Sequence, residues 1–366
     1  MRVPNHLPVH LLGIAIVAAV GIASCGSSSS ATSATTTPAA AASNTAGAAG
    51  NTATPTAAAV ELPAAELSLV AYSTPQAAYE QIISAFNATP QGKKITFTQS
   101  YGSSGDQSRA VVAGLDADYV AFSLEPDVTR LVKANLVAAD WNKDKHAGNV
   151  TDSVVVLVVR KGNPKNIRGW ADLTKPGIEV ITANPFTSGG ARWNVMAAYG
   201  QVIKGGGTQA DGVAYLNALF ANVPVQDDSA RKSLQTFTSG KGDVLLAYEN
   251  EAIFAQANGQ AVDYVVPDST ILIENPAAVT STSKHPKEAK EFLDFLHTAT
   301  AQQIFADAGY RPVLAGIADG KFPTPANLFT IADLGGWTLV TKDFFDTKTG
   351  IMVSVESSVG VTVAAK

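Results

Sequence analysis

The sequence predicts an α/β fold of two lobes joined by two crossing segments. Short β-like runs alternate with amphipathic helical stretches, first over residues 67–136 and again over residues 178–257. Between the two sets lies Ser153-Val154-Val155-Val156-Leu157-Val158-Val159-Arg160, which reads as a strand buried on both faces. About 300 residues remain once the N-terminal low-complexity stretch is set aside, enough for two lobes of ordinary size.

In the first set, residues 67–71 are apolar and strand-like. Tyr79, Ile82, Ile83 and Phe86 then fall at i, i+3, i+4 and i+7, the face of a helix. Residues 95–99 alternate as a strand, 110–115 read as helix, 119–122 as strand and 128–136 as helix. This βαβαβα order argues for a mostly parallel sheet covered on both sides. The strand at 153–160 ends in Lys161-Gly162-Asn163-Pro164-Lys165, a solvated turn by composition. The second set is strand 178–182, helices from 191 to about 220, strand 223–225, helix 230–237, strand 244–248 and helix 251–257. Residues 271–274 and 277–280 return as extended chain. Ala289, Phe292, Leu293 and Leu296 mark a further helix. The crossings are placed near 151–160 and 271–280.

The N-terminus carries addressing information, not fold. Arg2 and the apolar run 11–20 read as a secretion signal, too short to span a bilayer. Residues 26–65 are almost entirely Ser, Ala, Thr, Gly, Asn and Pro. Such a segment has too little apolar bulk to offset its ordering entropy and is read as a disordered tether reaching about 35 Å. Cys25 is the single cysteine, so no intrachain disulfide forms. With 26 basic and 31 acidic residues, and Arg2 lost with the leader, the remaining chain has a net charge near −6. That balance argues against nucleic acid as a partner.

Four loops follow strands and open helices. They are Tyr72-Ser73-Thr74-Pro75, Tyr101-Gly102-Ser103-Ser104-Gly105-Asp106-Gln107, Thr187-Ser188-Gly189-Gly190-Ala191-Arg192-Trp193 and Asp227-Asp228-Ser229-Ala230-Arg231. In open α/β sheets ligands bind beyond the carboxyl ends of strands. The first amide N–H groups of a helix lack internal partners and carry partial positive charge, so each loop is a candidate anion contact. Each also reads as an ordinary N-cap. Convergence of all four on one cleft is what separates the two readings.

Several segments resemble the sulfate-binding proteins of bacterial ABC importers over about residues 67–345. The matching runs include Ser103-Ser104-Gly105-Asp106-Gln107, Val158-Val159-Arg160-Lys161-Gly162-Asn163-Pro164-Lys165, Pro185-Phe186-Thr187-Ser188-Gly189-Gly190-Ala191-Arg192-Trp193-Asn194, Gly242-Asp243-Val244-Leu245-Leu246-Ala247-Tyr248-Glu249-Asn250-Glu251-Ala252, and Tyr310-Arg311-Pro312. The resemblance implies a two-lobed periplasmic-binding-protein fold (type II) that closes over a ligand in the inter-lobe cleft. Its lobes are expected at 66–155 plus 275–366 and at 156–274. It implies sulfate contacts from Ser73, Ser104, Ser188, Gly189, Gly190, Ala230 and Tyr248, with Ser188 also giving its hydroxyl. Arg192 and Arg231 would balance charge from behind. Ser73 stands where the family usually has an aspartate, and Tyr248 where it usually has a tryptophan. Ile22-Ala23-Ser24-Cys25 resembles the bacterial lipobox, implying lipid on Cys25 and a place on the outer face of the cytoplasmic membrane. The implied partners are sulfate or thiosulfate and the ABC permease membrane subunits; a monomer without cofactor is expected. The chain beyond about Phe345 does not match the family's usual end.

Other oxyanions on the same scaffold (thiosulfate, molybdate, phosphate) stay open on sequence. Sulfate carries no proton at neutral pH and suits a donors-only site, whereas hydrogen phosphate wants an acceptor. The nearby carboxylates Asp106, Asp227, Asp228 and Glu249 are expected to face solvent or pair with Arg192 and Arg231. Ser281-Thr282-Ser283-Lys284 and Lys348-Thr349-Gly350 fit two motifs of serine acyl-transfer enzymes, but no S-D-N lies between them. The five histidines are scattered, and no H-E-x-x-H or P-loop is present.

Overall fold

The structure, a computed structural model, describes residues 61–361. The leader, Cys25 and nearly all of the tether lie outside them. The strands are β1 Ala65–Tyr72, β2 Ile95–Gly102, β3 Tyr119–Ala121, β4 Asn149–Arg160, β5 Val180–Ala183, β6 Val225–Asp227, β7 Val244–Tyr248, β8 Val262–Val265, β9 Ser269–Val279 and β10 Asn327–Phe329. The helices are α1 Gln76–Asn87, α2 Ser104–Val112, α3 Glu125–Lys133, α4 Gly189–Lys204, α5 Gln209–Phe220, α6 Ala230–Thr238, α7 Glu249–Ala257, α8 Pro286–Leu296, α9 Ala299–Asp307, α10 Gly336–Phe345 and α11 Ile351–Ser358.

One sheet runs through the fold in the order β2-β1-β3-β9-β4-β7-β5-β6. Its two ends are parallel: β1 pairs with β2 and β3, and β5 with β6 and β7. The middle is not. β4 and β9 pair antiparallel with each other and with β7 and β3 respectively. These two long strands are the crossings, each pairing with a different lobe at either end. β9 is continuous through Asn275 and Pro276, which separate the two extended runs expected at 271–274 and 277–280. Pro276 lies opposite Asn149, where the register with β4 shifts, and its carbonyl accepts from the Phe122 amide at 2.9 Å. A proline is tolerated at such an irregularity because no ladder N–H is needed there.

Each lobe has its own core. Leu67, Tyr79, Phe86, Phe292 and Phe305 are buried together in the first. Val155, Trp193, Leu216, Phe220 and Leu246 are buried together in the second. Two boundaries differ from expectation. Leu62 and Ala65, counted with the tether, are buried in the first core, where the bulk of Leu62 removes apolar surface from water. Residues 336–358, grouped with the first lobe, pack largely on the second: Trp337, Val340, Phe344, Met352 and Val355 share its core. The rings of Trp193 and Trp337 meet edge-on at 4.7 Å, as do those of Tyr199 and Phe344.

Candidate anion-binding site

The four loops, and a fifth that the sequence reading passed over, come together where the strand ends of both lobes face each other. The Gly105 amide at the start of α2 donates to the Thr187 carbonyl before α4 at 3.0 Å. A Cβ on Gly105 would stand 2.7 Å from that oxygen, so glycine lets the two helix starts approach. Arg231 at the start of α6 donates to the Thr74 carbonyl after β1 at 2.9 Å. At the centre, the position of a Cβ on Gly190 lies 3.5 Å from Ala230 Cβ, 3.5 Å from the Tyr248 ring and 3.6 Å from Ser188 Oγ.

What these corners offer is amide hydrogen. Among the described residues the N–H groups of Ser104, Gly189, Gly190 and Ala230 have no partner, as the first turns of α2, α4 and α6 require. The three helices thus aim free donors and positive dipole ends at one region. Ser188 is mostly committed: its amide donates to the Asn184 carbonyl at 2.9 Å, and its Oγ caps the Ala191 amide at 3.3 Å. Its hydroxyl hydrogen stays available as a donor. The Ser104 hydroxyl is fully used, donating to Asp127 Oδ2 at 2.6 Å and accepting from the Ser123 amide at 3.0 Å. Only the backbone of Ser104 is left for a ligand. Ser73 is half-buried just beyond β1.

Tyr248 is placed differently from a simple donor. Its hydroxyl and Ser123 Oγ share a hydrogen bond of 2.7 Å, and its ring edge faces Gly190. Burial pushes the phenol well above its ordinary pKa, so it stays neutral. Ser123 is the residue the sequence reading missed. Its carbonyl accepts from Trp193 Nε1 at 2.7 Å and Asn275 Nδ2 at 3.0 Å, tying the first lobe to α4 and β9. The signal was present: Phe122-Ser123-Leu124 also follows a strand and opens a helix.

The charges are arranged behind the donors, with partners other than those expected. Arg231 is held by Glu251 at 2.8 Å and lies over the Phe254 ring. Glu249 pairs with Arg311 at 2.8 Å, Asp228 with Lys232 and Asp106 with Arg109. Burial raises both Glu249 and Glu251 above the usual carboxylate range, with their arginines opposing. Asp227 accepts from the Thr236 hydroxyl at 2.9 Å. Arg192 has no carboxylate partner among the described residues; its Nε donates to the Pro185 carbonyl at 2.8 Å.

The sequence pattern of the bacterial extracellular solute-binding protein family matches residues 67–311. This chain belongs to that family. A sulfate-binding protein of Synechococcus elongatus is 47% identical to this solute-binding protein over 292 residues, 76% of the chain and 83% of the relative. A thiosulfate-binding protein of Pseudomonas aeruginosa is 33% identical over 75% of the chain and 88% of the relative. Among solved structures, the sulfate-binding protein SubI of Mycobacterium tuberculosis H37Rv superposes with a TM-score of 0.75 at 47% identity, covering 77% of the chain and 99% of SubI.

The acyl-transfer motifs do not assemble in this solute-binding protein. Ser281 is exposed, the Lys284 ammonium pairs with Asp116 at 3.1 Å, and Lys348-Thr349 forms a turn closed by the Asp346 carboxylate. Among the described residues no cluster of His, Cys, Asp and Glu could hold a metal, and no helix is long and apolar enough to cross a membrane.

Proposed function

We propose that this chain captures inorganic sulfate outside the cytoplasm and delivers it to the membrane subunits of an ABC importer. The observation that carries this reading is the meeting of unpartnered amides from Ser104, Gly189, Gly190 and Ala230. Of the carboxylates beside the loops, Asp106 and Asp228 are paired with Arg109 and Lys232, while Asp227 and Glu249 each engage one oxygen and keep the other, Oδ2 and Oε1, buried without a partner. A set of converging amide donors suits an anion with no proton to give, whereas hydrogen phosphate also needs an acceptor for its proton. Hydrogen bonds to a charged group contribute about 1.5–3 kcal/mol each, so several together offset the cost of dehydrating a dianion. Ser188 supplies its hydroxyl, Ser73 its backbone amide, and Tyr248 a neutral wall. Arg192 and Arg231 lie in the first turns of α4 and α6, where their charge adds to the helix dipoles.

Calorimetric titration with sulfate, thiosulfate, molybdate and phosphate tests this. Sulfate is expected to bind one to one and phosphate to give no saturable heat; preference for phosphate would remove the reading. Thiosulfate is the second reading, favoured by the thiosulfate-binding relative and by its equal lack of a proton. Tighter binding of thiosulfate than of sulfate would establish it.

The lipid anchor rests on Ile22-Ala23-Ser24-Cys25. Cys25→Ala is expected to move the protein from the membrane fraction to the soluble one, and continued retention would mean a different anchor.

A further inference from the structure

A cavity of about 730 Å³ opens on the far side of the Thr187 loop. Its walls come from α3, from the loop and first turn of α4, and from α10. None of Ser188, Gly190, Ala230 or Tyr248 lines it. It is far larger than an inorganic anion and within the range of small-molecule sites.

Three cations reach this cavity without an ion-pair partner among the described residues: Lys133, Arg192 and Lys342. Arg192 is the telling one. It is only 9% exposed, yet it has no counter-ion. Its Nε is held by the Pro185 carbonyl at 2.8 Å and its plane lies 4.8 Å over the Phe345 ring, which leaves its terminal nitrogens for the cavity. A buried guanidinium without a carboxylate is costly, and an anion beside it relieves that cost. Desolvation lowers its pKa to about 10, against the pull of Asp127. Asp127 cannot serve as its full partner, being shared between Ser104 at 2.6 Å and Arg130 at 2.8 Å. A second polar atom points the same way: Thr341 Oγ1, on the α10 wall, is buried and has no hydrogen-bond partner. Two acidic residues also line the cavity, each with a hydrogen-bond donor of its own. Glu125 accepts from the Thr129 hydroxyl, and Asp346 from the Lys348 and Thr349 amides. Trp337 and Phe345 add apolar surface beside the cations.

We infer that this cavity is a second ligand site, which takes a small organic anion with its charged head at Arg192 and its apolar body against Trp337 and Phe345. The inference does not rest on the sulfate reading, since the two sites share no donor. Guanidinium geometry suits a planar or tetrahedral oxyanion head, and stacking aromatics suit a ring.

The test is calorimetric titration of the full-length protein with naphthalene-2-sulfonate, with and without saturating sulfate, at matched ionic strength. One saturable site is expected in both conditions. Lys342→Glu and Lys133→Glu are each expected to weaken it by about tenfold while leaving the inorganic anion's affinity unchanged. Both lysines lie at helix surfaces, so neither change endangers folding. Absence of saturable binding, its loss in saturating sulfate, or its indifference to both charge reversals would overturn the inference. A failure of sulfate itself to bind would leave the sulfonate titration readable and would count against the first site alone.

Discussion

Gly189 and Gly190 sit side by side at the start of α4, and the structure gives them different tasks. A Cβ on Gly189 would lie 2.8 Å from Ser123 Oγ and 2.9 Å from Ser123 Cβ. Gly189→Ala is therefore expected to destabilise the protein by about 1–3 kcal/mol through overpacking, read by urea denaturation. A Cβ on Gly190 meets nothing nearer than 3.5 Å. Gly190→Ala is expected to leave stability within about 0.5 kcal/mol, yet to weaken the anion sharply, because the new methyl stands between Ser188, Ala230 and Tyr248. Equal effects of the two changes on stability would contradict this division. Tyr248→Phe removes the partner of Ser123 Oγ and should cost about 1–1.5 kcal/mol of stability. Its effect on anion affinity should be smaller than that of Ser188→Ala, about 1.5–3 kcal/mol, because the phenol hydroxyl is already taken by Ser123. The glycine corner was legible because its signal is local: a strand, a capping serine, two glycines and a helix. Ser123 carries the same local signal, a strand end before a helix, but its bonds to Trp193 and Asn275, residues distant in sequence, are visible only in the fold.

At the level of elements, β4 and β9 carry the most consequence. The valine run of β4 announced a buried strand, but nothing in it specified antiparallel pairing. Pro276 disguised β9 as two pieces, since a proline's effect depends on which neighbour strand needs its missing N–H. The short β8 and β10 and helices α9 to α11 escaped because their apolar faces are few residues wide and become evident only against their neighbours: β8 against β4, β10 against β9 and α4, α9 against α1, α10 against α3 and α11, and α11 against α5. Asp152 on β4 holds a further expectation. Its backbone exchanges two hydrogen bonds of 2.8 Å with Arg311, and burial, reinforced by Glu274, pushes its carboxyl up to about 7. A carboxyl whose folded pKa is raised favours folding most when protonated. Its contribution is full below the unfolded value of about 3.9 and is lost as pH rises through about 7. Asp152→Asn should therefore gain stability relative to the parent as pH is raised from about 5 to about 8, measured by urea denaturation across that window. A constant difference between the two proteins would mean that Asp152 titrates as it does in water.

On the scale of the whole molecule, the fold brings helix starts from two lobes to face one another, so the unpartnered amides come from both. The alternation of strands and helices made the two-lobed α/β architecture readable, and the position of each loop after a strand made its donors readable. The direct bridges between lobes were not: Gly105 to Thr187, Arg231 to Thr74, and Tyr248 to Ser123 each join residues far apart in the chain. These bridges describe a closed arrangement, and a ligand that binds it should stabilise the folded state by mass action, by about 2.7 kcal/mol at a hundredfold excess over Kd. The most direct measurement is amide-resolved NMR of the protein titrated with sulfate. The Ser104, Gly189, Gly190 and Ala230 amide protons are expected to move downfield together and saturate at one equivalent. Shifts confined to a single lobe, or centred on Arg192 and Lys342 with those four amides unmoved, would contradict it.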